Sequence, residues 1–213
     1  MAWPVFVKRL FHGQGAYGNG AAMRVAPLGA YFADDLEVGA QQARLSAEVT
    51  HAHDEGIVGA MAVAVATALA FQLRAQAIPS RPEFLDRVLA HLPNSEVREK
   101  VRHARNLPEG ASVQLAVSAL GNGTGVSAQD TVPFVLWCAA ERLASYEEAL
   151  WLTVSGLGDR DTTCAMVGGI VACYTGEDEI PAAWREAREP LPRWYETEVP
   201  PVPPVPSPSE VAE

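Results

Sequence analysis

An all-α fold is predicted by three features of this 213-residue chain. Alanine and leucine carry much of the 48% hydrophobic share, and both favour helix over sheet. No segment alternates apolar and polar residues with the period of two that a half-buried strand needs. Small residues recur every four positions at Gly56, Ala60, Ala64 and Ala68, a flat face on which another helix can pack closely. The expected architecture is a compact orthogonal multi-helix bundle over residues 1–194. A proline-rich tail over 195–213 is expected to be disordered or polyproline-like.

The elements follow in chain order. Residues 13–29 (GQGAYGNGAAMRVAPLG) form a glycine-dense loop passing into a small-residue segment. Residues 46–73 read as one long helix entered through Thr50-His51-Ala52-His53-Asp54-Glu55. Pro79 and Pro82 punctuate the next turn. Residues 84–92 and 95–107 are amphipathic, the second with Arg98, Lys100, Arg102 and Arg105 on a solvated face. A second glycine-rich loop, residues 121–125, precedes a helix over 131–144 with Pro133 in its first turn. Helices over 146–157, 163–174 and 181–188 complete the reading.

Charge and cysteine usage narrow the function. A formal net charge of −10 argues against a sequence-independent grip on nucleic acid phosphates. An anionic small ligand is still allowed, because backbone N–H groups bind phosphate locally. Cys138, Cys164 and Cys173 each lie in an apolar stretch and form no CxxC, as expected of buried thiols in a reducing compartment. The first fourteen residues lack a signal-peptide layout. The run over 56–73 approaches membrane-spanning length, but Ala and Gly dominate it and no aromatic belt flanks it. A buried core helix in a soluble, cytoplasmic protein is the expectation.

Chemistry concentrates in Gly158-Asp159-Arg160-Asp161-Thr162-Thr163, directly ahead of an apolar run. Unpaired N–H groups at a helix start favour ionised Asp. Two carboxylates and a hydroxyl are what a hard divalent cation such as Mg²⁺ selects. An Asp/Thr helix cap uses the same residues and stands as the alternative. Two more polar loops, residues 13–24 and 121–125, and the pair Thr50-His51 stand out in the apolar background. Glycines let backbone N–H groups approach a phosphate without a Cβ in the way.

These blocks resemble the ADP-ribosylglycohydrolase family. The matching stretches are YGNGAAMRVAPLG (17–29), SAEVTHAHDEGIVGAMAVA (46–64), LGNG…DTVPFVLW (120–137) and GLGDRDTTCAMVGGIVACYTG (156–176), in the family's order. The resemblance implies Mg²⁺-dependent hydrolysis of the glycosidic bond joining ADP-ribose to a protein side chain or a related conjugate. It makes Asp159, Asp161 and Thr162 metal ligands, the two aspartates also catalytic. It makes Gly15, Ala16, Tyr17, Gly18, Asn19, His51, Gly123 and Thr124 contacts to ADP-ribose, with the Tyr17 ring on a sugar or base. The YGNG and LGNG blocks are most similar to the branch that cleaves serine-linked and poly-ADP-ribose.

Two departures accompany the match. The family's metal loop usually reads Gly-Gly-Asp-Thr-Asp-Thr; here Leu157 and Arg160 replace a Gly and a Thr. Family members also carry an upstream Thr-Asp-Asp-Thr motif that completes a binuclear site, and it has no counterpart here. Asp34-Asp35 is the sole Asp-Asp pair and lies between matched blocks. The expectation is a bundle truncated at its N-terminus, with an incomplete metal site. Such a chain would leave part of the 56–73 face uncovered and would self-associate. The alternative function is a catalytically impaired remnant that binds ADP-ribose or a partner chain.

Overall fold

The computed structural model describes residues 3–190, so the expected tail over 195–213 lies outside the described residues. The described residues fall into two units, divided between Ile180 and Pro181. Eleven α-helices and two short 3₁₀ turns make up the described residues, which contain no strand. The second unit contributes one short helix, α11 (Ala182–Ala187).

The first unit is built around α4 (Asp54–Leu73), which is apolar on every side and buried along nearly its whole length. A helix with no polar face belongs at the centre of a bundle. Around it lie α2 (Ala26–Tyr31), α3 (Leu36–Glu48), α8 (Ala128–Glu141) and α10 (Arg160–Thr175). Glycines set two of these crossings. A Cβ on Gly29 of α2 would stand 2.3 Å from the Ala64 carbonyl oxygen. One on Gly59 of α4 would stand 2.8 Å from the Ala128 Cβ of α8. By length and composition α4 could cross a membrane, but 89% of its apolar window is buried inside the protein.

This arrangement corrects one expectation. Gly56, Ala60, Ala64 and Ala68 are all buried, so the small-residue face is not uncovered. It offers no surface for self-association, because α2, α3, α8 and α10 already occupy the sides of α4.

Element boundaries shift in three places. The single helix over 46–73 is two, broken between Glu48 and Asp54. The His53 N–H donates to the Ala16 carbonyl (3.3 Å) and the His53 ring accepts from the Glu55 N–H (3.1 Å), which starts α4 there. The helix expected over 131–144 begins at Ala128, after Ser127, and therefore holds Pro133 in its interior rather than its first turn. The helix expected from Thr163 begins at Arg160. Unforeseen helices are α1 (Trp3–Gly13), α2, α3 and α7 (Val113–Leu120).

Capping follows composition elsewhere. Ser80 and Glu83 form a capping box on α5 (Arg81–Leu89). Ser95 caps α6 (Glu96–Asn106), whose first amides also donate to the Glu55 carboxylate at 2.8 Å each. Asp35 caps α3, which gives the Asp34-Asp35 pair a structural place. Three of the four basic residues expected on the α6 surface are ion-paired, Lys100 with Glu96, Arg102 with Glu99 and Arg105 with Asp86, while Arg98 donates to the Asn94 side-chain oxygen. Ser145 caps α9 (Tyr146–Ser155), which packs on α10.

Candidate functional site

Three loops meet at the start of α10. The loop after α1 crosses the loop after α7 in a short antiparallel bridge, Gly18 opposite Ser127. Asn19 N–H donates to the Val126 carbonyl (3.0 Å), and Ala128 N–H donates to the Tyr17 carbonyl (2.9 Å). The loop after α7 is tied in turn to the loop ahead of α10. Asn122 donates through Nδ2 to the Gly156 carbonyl (2.9 Å) and accepts on its backbone oxygen from the Asp159 N–H (3.2 Å).

Asp159 stands at the N-cap position of α10, yet its carboxylate makes no cap hydrogen bond. Asp159 Oδ2 accepts instead from Asn19 Nδ2 at 2.9 Å. The same Nδ2 donates to Thr131 Oγ1 (3.2 Å), whose hydroxyl donates to the Ser127 carbonyl (2.7 Å). Asn19 is 4% exposed, so a buried amide holds the Asp159 carboxylate toward the Tyr17 loop. This geometry decides against the capping alternative for Asp159.

Asp161 lies in the first turn of α10 and is exposed. Its carboxyl is held below the ordinary range, first by a hydrogen bond with the Asp159 side chain, then by the N–H groups of Asp161 and Thr162. Two carboxylates at the start of one helix repel each other, and a bound divalent cation relieves that repulsion. Among the described residues no group of three or more His, Cys, Asp or Glu side chains forms a metal cage. Mg²⁺ is commonly bound by one or two carboxylates and otherwise by waters and substrate oxygens, so the donor chemistry of Asp159 and Asp161 fits it. Thr162 is buried beside them.

The two glycine loops differ in what their amides do. In the second loop Gly123 N–H donates to the Asp130 carbonyl (3.0 Å) and Gly125 N–H to Asp130 Oδ2 (2.7 Å). Thr124 N–H donates to Asn122 Oδ1 (3.3 Å). Those amides are engaged, so they form no open phosphate cradle. Gly123 serves close approach: at φ +88 its missing Cβ would lie 2.7 Å from the Asp159 Cβ. Among the described residues, the amides of Ala16, Tyr17 and Gly18 in the first loop donate to no protein acceptor. Gly15 holds that loop against the backbone of Ala52 and His53 in a left-handed conformation (φ +76).

Tyr17 is half exposed, its ring edge-on to His53 at 5.4 Å between centroids. His51 lies under the same loop, its Nε2 3.5 Å and 3.4 Å from the positions a Cβ on Gly18 or Gly20 would take. Burial, then the charge of Arg24, lowers the His51 pKa from its ordinary value. The structure therefore brings together the Tyr17 loop, His51, Gly123 and the Asp159–Thr162 segment. Sequence reading missed Asn122, Asp130 and Thr131, which shape the second loop. Their only signal was position inside the LGNG and DTVP blocks.

An all-helical scaffold whose buried amide joins a glycine loop to a carboxylate pair defines the class, and a family profile gives it a name. The profile described as ADP-ribosylglycohydrolase matches residues 3–199, and the chain belongs to that family. It is 32% identical over 209 residues to the human protein named ADP-ribosylhydrolase ARH3, covering 84% of this chain and 56% of that one. The mouse protein of the same name is 31% identical over 84% of this chain and 55% of its own length. An uncharacterized protein of Archaeoglobus fulgidus is 36% identical over 174 residues, 78% of this chain and 52% of that protein. The chain thus spans a little over half the length of these relatives.

Proposed function

We propose that this chain carries the ADP-ribose loop and one carboxylate arm of a Mg²⁺-dependent ADP-ribosylglycohydrolase. Its reaction is hydrolysis of the glycosidic bond between ADP-ribose and a protein side chain or a related conjugate, in the cytoplasm, where its three free thiols suit a reducing milieu. The observation that carries the reading is the Asn19–Asp159 hydrogen bond. It turns a would-be cap carboxylate toward the loop whose Ala16–Gly18 amides remain available to an anion.

The residues divide the work by chemistry. The Ala16–Gly18 amides take the diphosphate, and the half-exposed Tyr17 ring packs on a sugar or base. Gly123 lets the second loop close on Asp159, and Thr124, hydrogen-bonded to Asn122 in the same loop, is its contact to ADP-ribose. Asp159, Asp161 and Thr162 would hold Mg²⁺, which when bound would supply orientation of ribose hydroxyls and a water of lowered pKa. Asn19 keeps the Asp159 carboxylate in register with the loop.

The test is ADP-ribose release from an ADP-ribosylated protein, with Mg²⁺ or a chelator, comparing the parent chain with Asp161→Asn. Loss of one charge from a hard-cation donor set should lower the rate about 100-fold, with partial recovery at excess Mg²⁺. Undiminished, metal-independent release by Asp161→Asn would remove the carboxylate from the mechanism. Saturable ADP-ribose binding with no release by the parent chain would assign it a binding role instead.

A further inference from the structure

The loop histidine is held by a two-residue relay that reaches back to a surface arginine. Arg24 Nη1 donates to the Gly20 carbonyl (3.0 Å), and Nη2 donates both to the Ser46 carbonyl (3.2 Å) and to Thr50 Oγ1 (2.7 Å). Thr50 Oγ1 lies 2.8 Å from His51 Nδ1. A guanidinium can only donate, so Thr50 is an acceptor from Arg24 and keeps one hydroxyl proton to give. The acceptor in reach of that proton is His51 Nδ1. An imidazole that accepts at Nδ1 carries its proton at Nε2, and Nε2 is the atom set against Gly18 and Gly20.

We propose that Arg24 and Thr50 are positioning residues that fix His51 as the neutral Nε2–H tautomer, so that it presents a hydrogen-bond donor to the ADP-ribose bound along the Gly15–Asn19 loop. The half-buried ring beside a cation disfavours imidazolium, consistent with its lowered pKa. A neutral donor reads acceptor oxygens of a sugar or phosphate without adding a titrating charge. Arg24 serves the same end twice, because its other nitrogen pins Gly20 and with it the loop that Nε2 faces. This inference rests on the proposed function for the identity of the ligand, but not for the tautomer.

The experiment uses the full chain labelled with ¹⁵N-histidine, the His51 signals being assigned by their loss in His51→Asn. At neutral pH the expected result is a pyridine-like Nδ1 and a protonated Nε2. Thr50→Val, which keeps shape and loses the hydroxyl, should mix the tautomers and weaken ADP-ribose binding about tenfold by calorimetry. Thr50→Ser should restore both, and Arg24→Met should reproduce the loss in part. Unchanged melting of Thr50→Val separates this from misfolding, and should Thr50→Val melt early, the parent and Thr50→Ser spectra still decide the tautomer. A parent chain with Nδ1–H or imidazolium at neutral pH overturns the relay. So does a Thr50→Val spectrum identical to the parent's. A parent chain showing the Nε2–H tautomer without any ADP-ribose binding upholds the relay and refutes the ligand reading alone.

Discussion

Leu157 shows how one side chain can sit against its own backbone preference. It has φ +58 and is 62% exposed, in the left-handed region that costs an L-residue with a Cβ about 1–2 kcal/mol. It stands where the family's metal loop usually has glycine. Its neighbour Gly158 also has positive φ, and there a Cβ would meet the Asn122 carbonyl oxygen at 2.3 Å. Leu157→Asn should therefore stabilise the protein by about 1 kcal/mol, since Asn tolerates this conformation and little apolar burial is lost. Leu157→Val should destabilise it by a similar amount. Urea unfolding reads both, and equal effects of the same sign would dismiss the strain. His51 makes a second residue-scale case. Its folded pKa lies below the ordinary 6.5, so the unfolded chain binds more protons between the two values and stability falls as pH drops through about 6.5. The slope of stability against pH between about 7.5 and 5.5 should be shallower in His51→Gln than in the parent chain.

Elements are where sequence and structure agree most and diverge most usefully. The small-residue stripe of α4 announced a close helix crossing, and Gly29 against Ala64 realises it; the Gly59–Ala128 crossing lies off that stripe. Gly29→Ala should cost about 2–3 kcal/mol, the upper end for overpacking, because the obstacle is backbone rather than a movable side-chain tip. A calorimetric melting temperature within error of the parent would mean that α2 and α4 can part freely. The break between α3 and α4 was not legible, because residues 46–53 contain no Gly or Pro to announce it. It is imposed from outside, by Ala16 accepting from the His53 amide, and by a histidine acting as N-cap. The Asp-x-Asp-Thr segment was legible as a candidate ligand set, but whether Asp159 capped its own helix was not. That depended on Asn19, 140 residues away in the chain. The second glycine loop read as an amide cradle for the same reason: only the fold reveals that Asp130 and Asn122 have taken the N–H groups of residues 123–125.

At the scale of the molecule, Asn19 joins two parts of the site: its backbone N–H pairs with Val126 in the strand-like crossing, and its side chain bonds Thr131 and the carboxylate at the start of α10. If the loop takes ADP-ribose and the carboxylates take Mg²⁺, as proposed, each ligand orders the Asn19 link that the other needs. Mg²⁺ should then tighten ADP-ribose binding by about fivefold or more, and ADP-ribose should tighten Mg²⁺ binding by the same factor, since coupling between two binding equilibria is reciprocal. Asn19→Leu keeps the side chain's size but removes the donor. It should leave weak binding of each ligand alone and reduce the mutual enhancement to nearly none. Because Asn19 is buried, the variant's unfolding transition must be checked first, and a cooperative transition qualifies it for the comparison. Paired titrations of each ligand in the presence and absence of the other measure the coupling. An enhancement that survives intact in a folded Asn19→Leu protein would mean that the loop and the carboxylates communicate by another route, and that the hydrogen bond serves only to hold the three loops together.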